Sequence, residues 1–174
     1  MKTIGLVSDS KSLSDDEAQL MQSALTAEQR LKADMATWRN ALDRAWNAEK
    51  GGMLRVMDTP LVFEFIGGKH LPLMIAPKKL QEIKRKHPGM SKAVFYQLPK
   101  YLADPMFIFK SDTVEGRFVA TLSLKDKSNI HIVVPILLDA KSSRVDVNVL
   151  NSVYGRGDKS HTKDQLSWFI HNIQ

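Results

Sequence analysis

The apolar residues of this chain change their period at Pro105, and that switch limits the folds open to it. Before Pro105 the spacing and the boundary signals are helical; after it, apolar and polar residues alternate in twos. Residues 1–13 read as a loose tail. Ser14-Asp15-Asp16-Glu17 then makes a capping box, and no proline or glycine follows until Gly51-Gly52. Leu20, Met21, Leu31, Met35, Trp38, Leu42 and Trp46 recur at mixed three- and four-residue spacings. They predict one long helix or two shorter ones ended by Gly51-Gly52, with a Met and Trp stripe that serves as core or interface. Asp58-Thr59-Pro60 predicts a helix start, with the Thr59 hydroxyl as N-cap and proline at N1, over a short helix 60–66. Leu71–Ile75 is a short strand candidate. Pro77 opens a helix to about His87, which Pro88-Gly89 ends, and Ser91 caps another that runs to about Leu102.

Beyond Pro105 the chain reads as strands. Met106 to Phe109 is an apolar run. Arg117 to Leu124 alternates, with Phe118, Ala120, Leu122 and Leu124 on one face and Thr121 and Ser123 on the other. Ile130 to Leu138 is almost wholly apolar, which suits a central strand, although Pro135 argues for a bulge or an edge. Arg144 to Leu150 alternates again, with Val145, Val147 and Val149 expected inward. Short connections between these strands predict an antiparallel meander. A last helix is expected from about Thr162 to Ile173, carrying Leu166, Phe169, Ile170 and Ile173. Helices first and strands afterwards give an α+β class: N-terminal helices on a four- to five-stranded antiparallel sheet with a closing C-terminal helix. The expected division is a helical segment over 1–52 and an α+β domain over 53–174.

Composition narrows the functions. The 174 residues are 43% hydrophobic and 25% charged, ordinary values for a globular chain. No cysteine is present, which removes disulfides, thiolate catalysis and cysteine-based zinc sites and fits a reducing compartment. No apolar run approaches the roughly 20 residues that span a bilayer, and the first seven residues are too short for a secretory leader. A cytoplasmic site of action is expected, with delivery by another system left open. Lys and Arg total 25 against 19 Asp and Glu, a net charge of +6. That balance favours polyanions or an acidic partner.

The chain lacks a P-loop, a G-x-G-x-x-G, a G-x-S-x-G and an H-E-x-x-H. His70, His87, His131, His161 and His171 have no metal-ligand spacing, so neither metal nor cofactor is expected, a carboxylate-bound Mg²⁺ aside. Scattered polar residues remain, and RNA cleavage without metal needs no more. The 2′-OH attacks the adjacent phosphorus, a base takes its proton, an acid protonates the leaving oxygen, and cations or hydrogen-bond donors stabilise the equatorial oxygens. DNA lacks the 2′-OH, so such a site would be specific for RNA. Three places stand out. Lys84-Arg85-Lys86-His87 ends a helix, where the macrodipole favours cations. Ser152-Val153-Tyr154-Gly155-Arg156-Gly157 follows directly after a strand, where polar groups converge on clefts. A tight hairpin through Lys125–Asn129 would set Ser123 opposite His131 with Thr121 nearby. Each has a plainer reading: a solvated helix end, a glycine turn with a packing tyrosine, and a histidine satisfied by a neighbouring hydroxyl.

These pieces occur in a familiar order. Asp58-Thr59-Pro60, Leu71-Pro72-Leu73, Lys86-His87, Leu98-Pro99 running into Leu102-Ala103-Asp104-Pro105, Lys110-Ser111-Asp112 and Ser152-Val153-Tyr154-Gly155 follow one another. The series resembles the C-terminal domain of phage MuF-type proteins, a domain also found in polymorphic toxins and polyvalent phage proteins. The likeness covers about residues 53–172. Each motif is weak alone, and their order is what is specific. The family is similar to the Barnase/EndoU/colicin/RelE-like (BECR) nuclease fold, which implies helices on a four- or five-stranded antiparallel sheet. It also implies a toxin ribonuclease, often against tRNA, neutralised by a cognate immunity protein. By position, the resemblance points to Lys86, His87, Ser111, Ser152 and Tyr154. His87 would be general acid or base, Lys86 a phosphate ligand, and Tyr154 and Ser152 hydrogen-bond donors or positioning groups. Beyond the resemblance, Arg156 is a candidate phosphate contact, with Arg85, Lys84, His131 and Thr121 as further substrate-binding candidates. Pro88 directly after His87 constrains that helix end. The competing reading is a non-catalytic phage protein on the same scaffold that binds RNA or a host protein. A transferase toxin acting on protein or nucleotide is the third.

Overall fold

A computed structural model describes residues 14–111, 114–142 and 145–156. The expected closing helix lies outside them. Eleven elements follow in order: α1 (Asp15–Ala45), β1 (Leu54–Asp58), α2 (Leu61–Glu64), β2 (Pro72–Ile75), α3 (Pro77–Lys86), α4 (Lys92–Ala103), β3 (Phe107–Lys110), β4 (Arg117–Lys125), β5 (His131–Ser142), β6 (Val145–Leu150) and β7 (Tyr154–Gly155). The class is α+β, as expected. The sheet is larger than expected: seven strands in the order β1-β2-β6-β5-β4-β3, with β7 on β5. It is mixed rather than a pure meander, because β2 runs parallel to β6 while the other pairs are antiparallel. Leu54–Asp58 carried no strand expectation, and it is this strand that extends the sheet beyond β2.

The first 31-residue helix is continuous. Ser14 and Glu17 cap each other reciprocally, as the capping box predicts. The helix ends at Ala45, short of the glycine pair expected to stop it. Its sequence stripe divides in two. Trp38 and Leu42 are wholly buried, whereas Leu20, Met21 and Leu25 are exposed, so the N-terminal half stands clear of the described body. Trp38 Nε1–H donates to the Phe95 carbonyl at 2.6 Å and ties α1 to α4. The core then runs through Leu80 and Ile83 of α3, Phe95, Leu98 and Leu102 of α4, and the inward faces of β4 and β5. Phe118, Ala120, Leu122 and Leu124 are all buried, as the alternation predicts.

Packing corrects two expectations and accounts for a third. Thr59 is not a helix cap. It is buried, its hydroxyl donates to the Leu71 carbonyl, and it accepts from Asn148 Nδ2 at 2.7 Å, while α2 begins without a side-chain cap. Val147 is buried and Val149 half-buried, as expected, but Val145 is exposed and Asn148, expected outward, is fully buried. The cause is an irregularity in β5 between Leu137 and Ala140, where Asp139 takes φ +53°. Asn148 Oδ1 accepts from the Asp139 N–H at 2.9 Å and so fills the gap in the ladder. Pro135, in turn, lies in a central strand. Its carbonyl accepts from Asn151 N–H, and the partner edge breaks between Leu150 and Tyr154 opposite a residue that has no N–H to give. No helix of the described residues is long and apolar enough to cross a membrane.

Candidate active site at the end of the third helix

Helix α3 stops at Lys86 because residue 87 precedes a proline, whose ring disfavours the helical region for its neighbour. His87 accordingly takes φ −128° and ψ 75°, while its N–H still donates to the Ile83 carbonyl at 2.8 Å. The imidazole is thereby turned off the helix axis, at the end that carries Lys84, Arg85 and Lys86. Tyr154 arrives from the far end of the chain on β7, paired with Val133 of β5. The two rings stack, centroids 5.3 Å apart and planes 27° from parallel.

Around the stack lies a cleft of about 190 Å³ lined by Lys79, Glu82, Ile83, Lys86, His87, Ser152 and Tyr154. The fold therefore brings Lys86 and His87 together with Ser152 and Tyr154, more than sixty positions later in sequence. Burial holds the His87 pKa below its ordinary value, and the neighbouring Lys86 charge pushes it the same way. At neutral pH the ring is an uncharged imidazole, able to take a proton. Lys79 and Glu82 were not among the expected residues. Glu82 bridges the two lysines, at 2.6 Å to Lys79 Nζ and 2.6 Å to Lys86 Nζ. The lysines hold its carboxyl down at about 2. The signal was legible: Lys79, Glu82, Lys86 and His87 fall at helical spacing on one face.

The other expected residues are placed elsewhere. Lys84 folds back over the Trp46 ring, 4.3 Å from its centroid, and donates to the Trp46 carbonyl, so it anchors α3 to the end of α1. Arg85 lines a neighbouring groove with Glu49, Lys50, Lys78, Gln81 and Glu82. That groove and the His87 cleft meet at Glu82. Ser111 follows β3 at the opposite end of the sheet order from β2, and its hydroxyl accepts from Val114 N–H at 3.3 Å. Thr121 pairs with Val133, which pairs with Tyr154, so Thr121 stands two strand spacings, about 10 Å, from the tyrosine along one row.

His131 is not opposite Ser123. The ladder shifts between Thr121 and Lys125, His131 pairs with Lys125, and its Nδ1 lies 3.0 Å from the Leu122 carbonyl oxygen. A main-chain bond from Arg156 N–H to the His131 carbonyl, 3.1 Å, sets Arg156 beside it. His131 and Arg156 therefore continue the β5–β7 pairing that carries Tyr154. Among the described residues no three His, Asp or Glu side chains converge as a metal-binding group.

No curated protein and no solved structure matches this chain. A family model does. Residues 79–173, more than half of the chain, match the phage MuF C-terminal domain. The match opens inside α3, so it contains His87, Ser152 and Tyr154 and leaves α1, β1, α2 and β2 outside. The chain belongs to the phage MuF C-terminal domain family.

Proposed function

We propose that this protein is a toxin ribonuclease that cleaves RNA, with tRNA as its substrate, through acid–base attack by the 2′-OH. The observation that carries the reading is the convergence of His87, Tyr154, Ser152 and Lys86 on one cleft, with the imidazole held neutral. Neutral His87 takes the 2′-OH proton. The 2′-oxygen bonds to phosphorus, and the P–O5′ bond breaks to leave a 2′,3′-cyclic phosphate and a 5′-hydroxyl. Lys86 and the Ser152 hydroxyl stabilise the equatorial oxygens, and Arg156 holds a neighbouring phosphate. Tyr154 stacks on the base and offers its phenol to the leaving oxygen. A BECR-type nuclease scaffold, action in a bacterial cytosol and a cognate immunity protein belong to the same reading. In it the toxin domain is residues 53–174.

The test is incubation of purified protein with total tRNA in EDTA, wild type beside His87→Ala, resolved on a denaturing gel. Discrete fragments from wild type alone are expected. Intact RNA in both lanes would remove the ribonuclease reading and leave a binding protein on the same scaffold. That alternative draws on the exposed Leu61, Phe65 and Ile66 around α2, an apolar surface a host protein would cover.

A further inference from the structure

His87 and Tyr154 lie on segments that share no direct main-chain pairing, yet their rings are held in register. A third segment touches both. The β4–β5 turn is built on Asp126, whose Oδ1 accepts the N–H groups of Ser128 at 2.8 Å and Ile130 at 3.0 Å. Its own N–H donates to the Ile130 carbonyl, its carbonyl accepts from Asn129, and Asn129 completes the turn at φ +62°. With Oδ1 so fixed, Oδ2 points at two glycines. A Cβ added at Gly89, two residues after His87, would stand 3.0 Å from Asp126 Oδ2. One added at Gly155, the residue after Tyr154, would overlap the same oxygen outright. The turn main chain also reaches the first segment, through a long contact of 3.5 Å from Lys127 N–H to the Gly89 carbonyl. Only residues without a side chain let the carboxyl wedge between the two segments.

We infer that Asp126 is a positioning residue: its carboxyl, seated against Gly89 and Gly155, sets the separation at which His87 stacks on Tyr154. It acts on the rings through the backbone that follows each, at Gly89 and at Gly155. The role in catalysis rests on the ribonuclease reading; the role in geometry does not. Aspartate suits the position because it is short enough to close the turn and branched enough to reach past it. Asparagine has the same shape, so it should keep the wedge, whereas alanine should lose it.

The test is the NMR spectrum of the His87 ring, shifted by the Tyr154 ring current, in the full chain. Asp126→Ala and Gly155→Ala should both lose that shift, while Asp126→Asn keeps it. Melting temperatures report folding, and where Gly155→Ala does not fold, the pair at 126 decides. RNA cleavage by Asp126→Ala should fall by about a hundredfold, the scale expected when a catalytic group is misplaced by about 1 Å. An unchanged ring shift in folded Asp126→Ala would overturn the inference. If wild type cleaves no RNA yet the ring shift responds as stated, the ribonuclease reading fails and the positioning role stands.

Discussion

The imidazole of His87 and the phenol of Tyr154 lie face to face, 5.3 Å between centroids, one at the end of α3 and the other on the short strand β7. The stack orients a proton-accepting ring and contributes to its burial. Burial, with the Lys86 charge beside it, is what keeps that ring neutral.

A pH profile of RNA cleavage should therefore show an acid limb governed by His87, with its midpoint below the ordinary value of about 6.5 and a plateau through neutrality. Lys86→Gln removes a charge that disfavours imidazolium, so the His87 pKa rises and the acid limb moves to higher pH. Cleavage by Lys86→Gln should also fall at the plateau, since the proposed phosphate ligand is lost. An acid limb that moves down in Lys86→Gln would show that the lysine does not act on His87 as stated.

Glu82 already occupies the two cations nearest the cleft. The pairs are partly exposed, so each is weak and replaceable. Glu82→Gln should tighten binding of inorganic phosphate by about threefold to tenfold at low salt, the effect fading as salt screens the lysines. Isothermal titration of phosphate into wild type and variant checks this. Equal affinities would mean that Lys79 and Lys86 do not meet the anion.

Asn148 makes three side-chain hydrogen bonds to two segments: to the β5 irregularity through the Asp139 N–H, and to both ends of the 59–71 connection through the Thr59 hydroxyl and the Lys69 carbonyl at 3.2 Å. Asn148→Ala leaves these buried groups unpaired and should cost about 2–4 kcal/mol in urea unfolding. Asn148→Leu should be no better, because the missing partners are polar.

Along α1, Trp38→Ala should cost about 3–5 kcal/mol, for it empties a fully buried site and orphans the Phe95 carbonyl. Leu20→Ala and Met21→Ala, on the exposed half of the same stripe, should each change stability by less than about 0.5 kcal/mol. Thermal melts of the variants side by side would separate the anchoring half of the helix from the rest.

Local chemistry accounts for much of what the sequence determined. The Ser14 capping box, the Pro77 start and Pro88 stop of α3, the Ser91 cap of α4 and the inward face of β4 each depend on residues within a few positions of one another. Lys86 and His87 were legible as a basic helix end, and Tyr154 as a residue beyond a strand. Only the tertiary structure decided that these two places form one cleft. It also decided that Lys84 faces Trp46 instead, that Thr59 and Asn148 bury a hydrogen bond between them, and that β1 and β2 extend the sheet by a parallel pairing with β6. Those outcomes turn on strand register and on which buried polar groups find partners across the chain. A shift of one residue, such as the irregularity beside Asp139, sends a side chain to the opposite face. A period of two read along the sequence carries no trace of where such a shift falls.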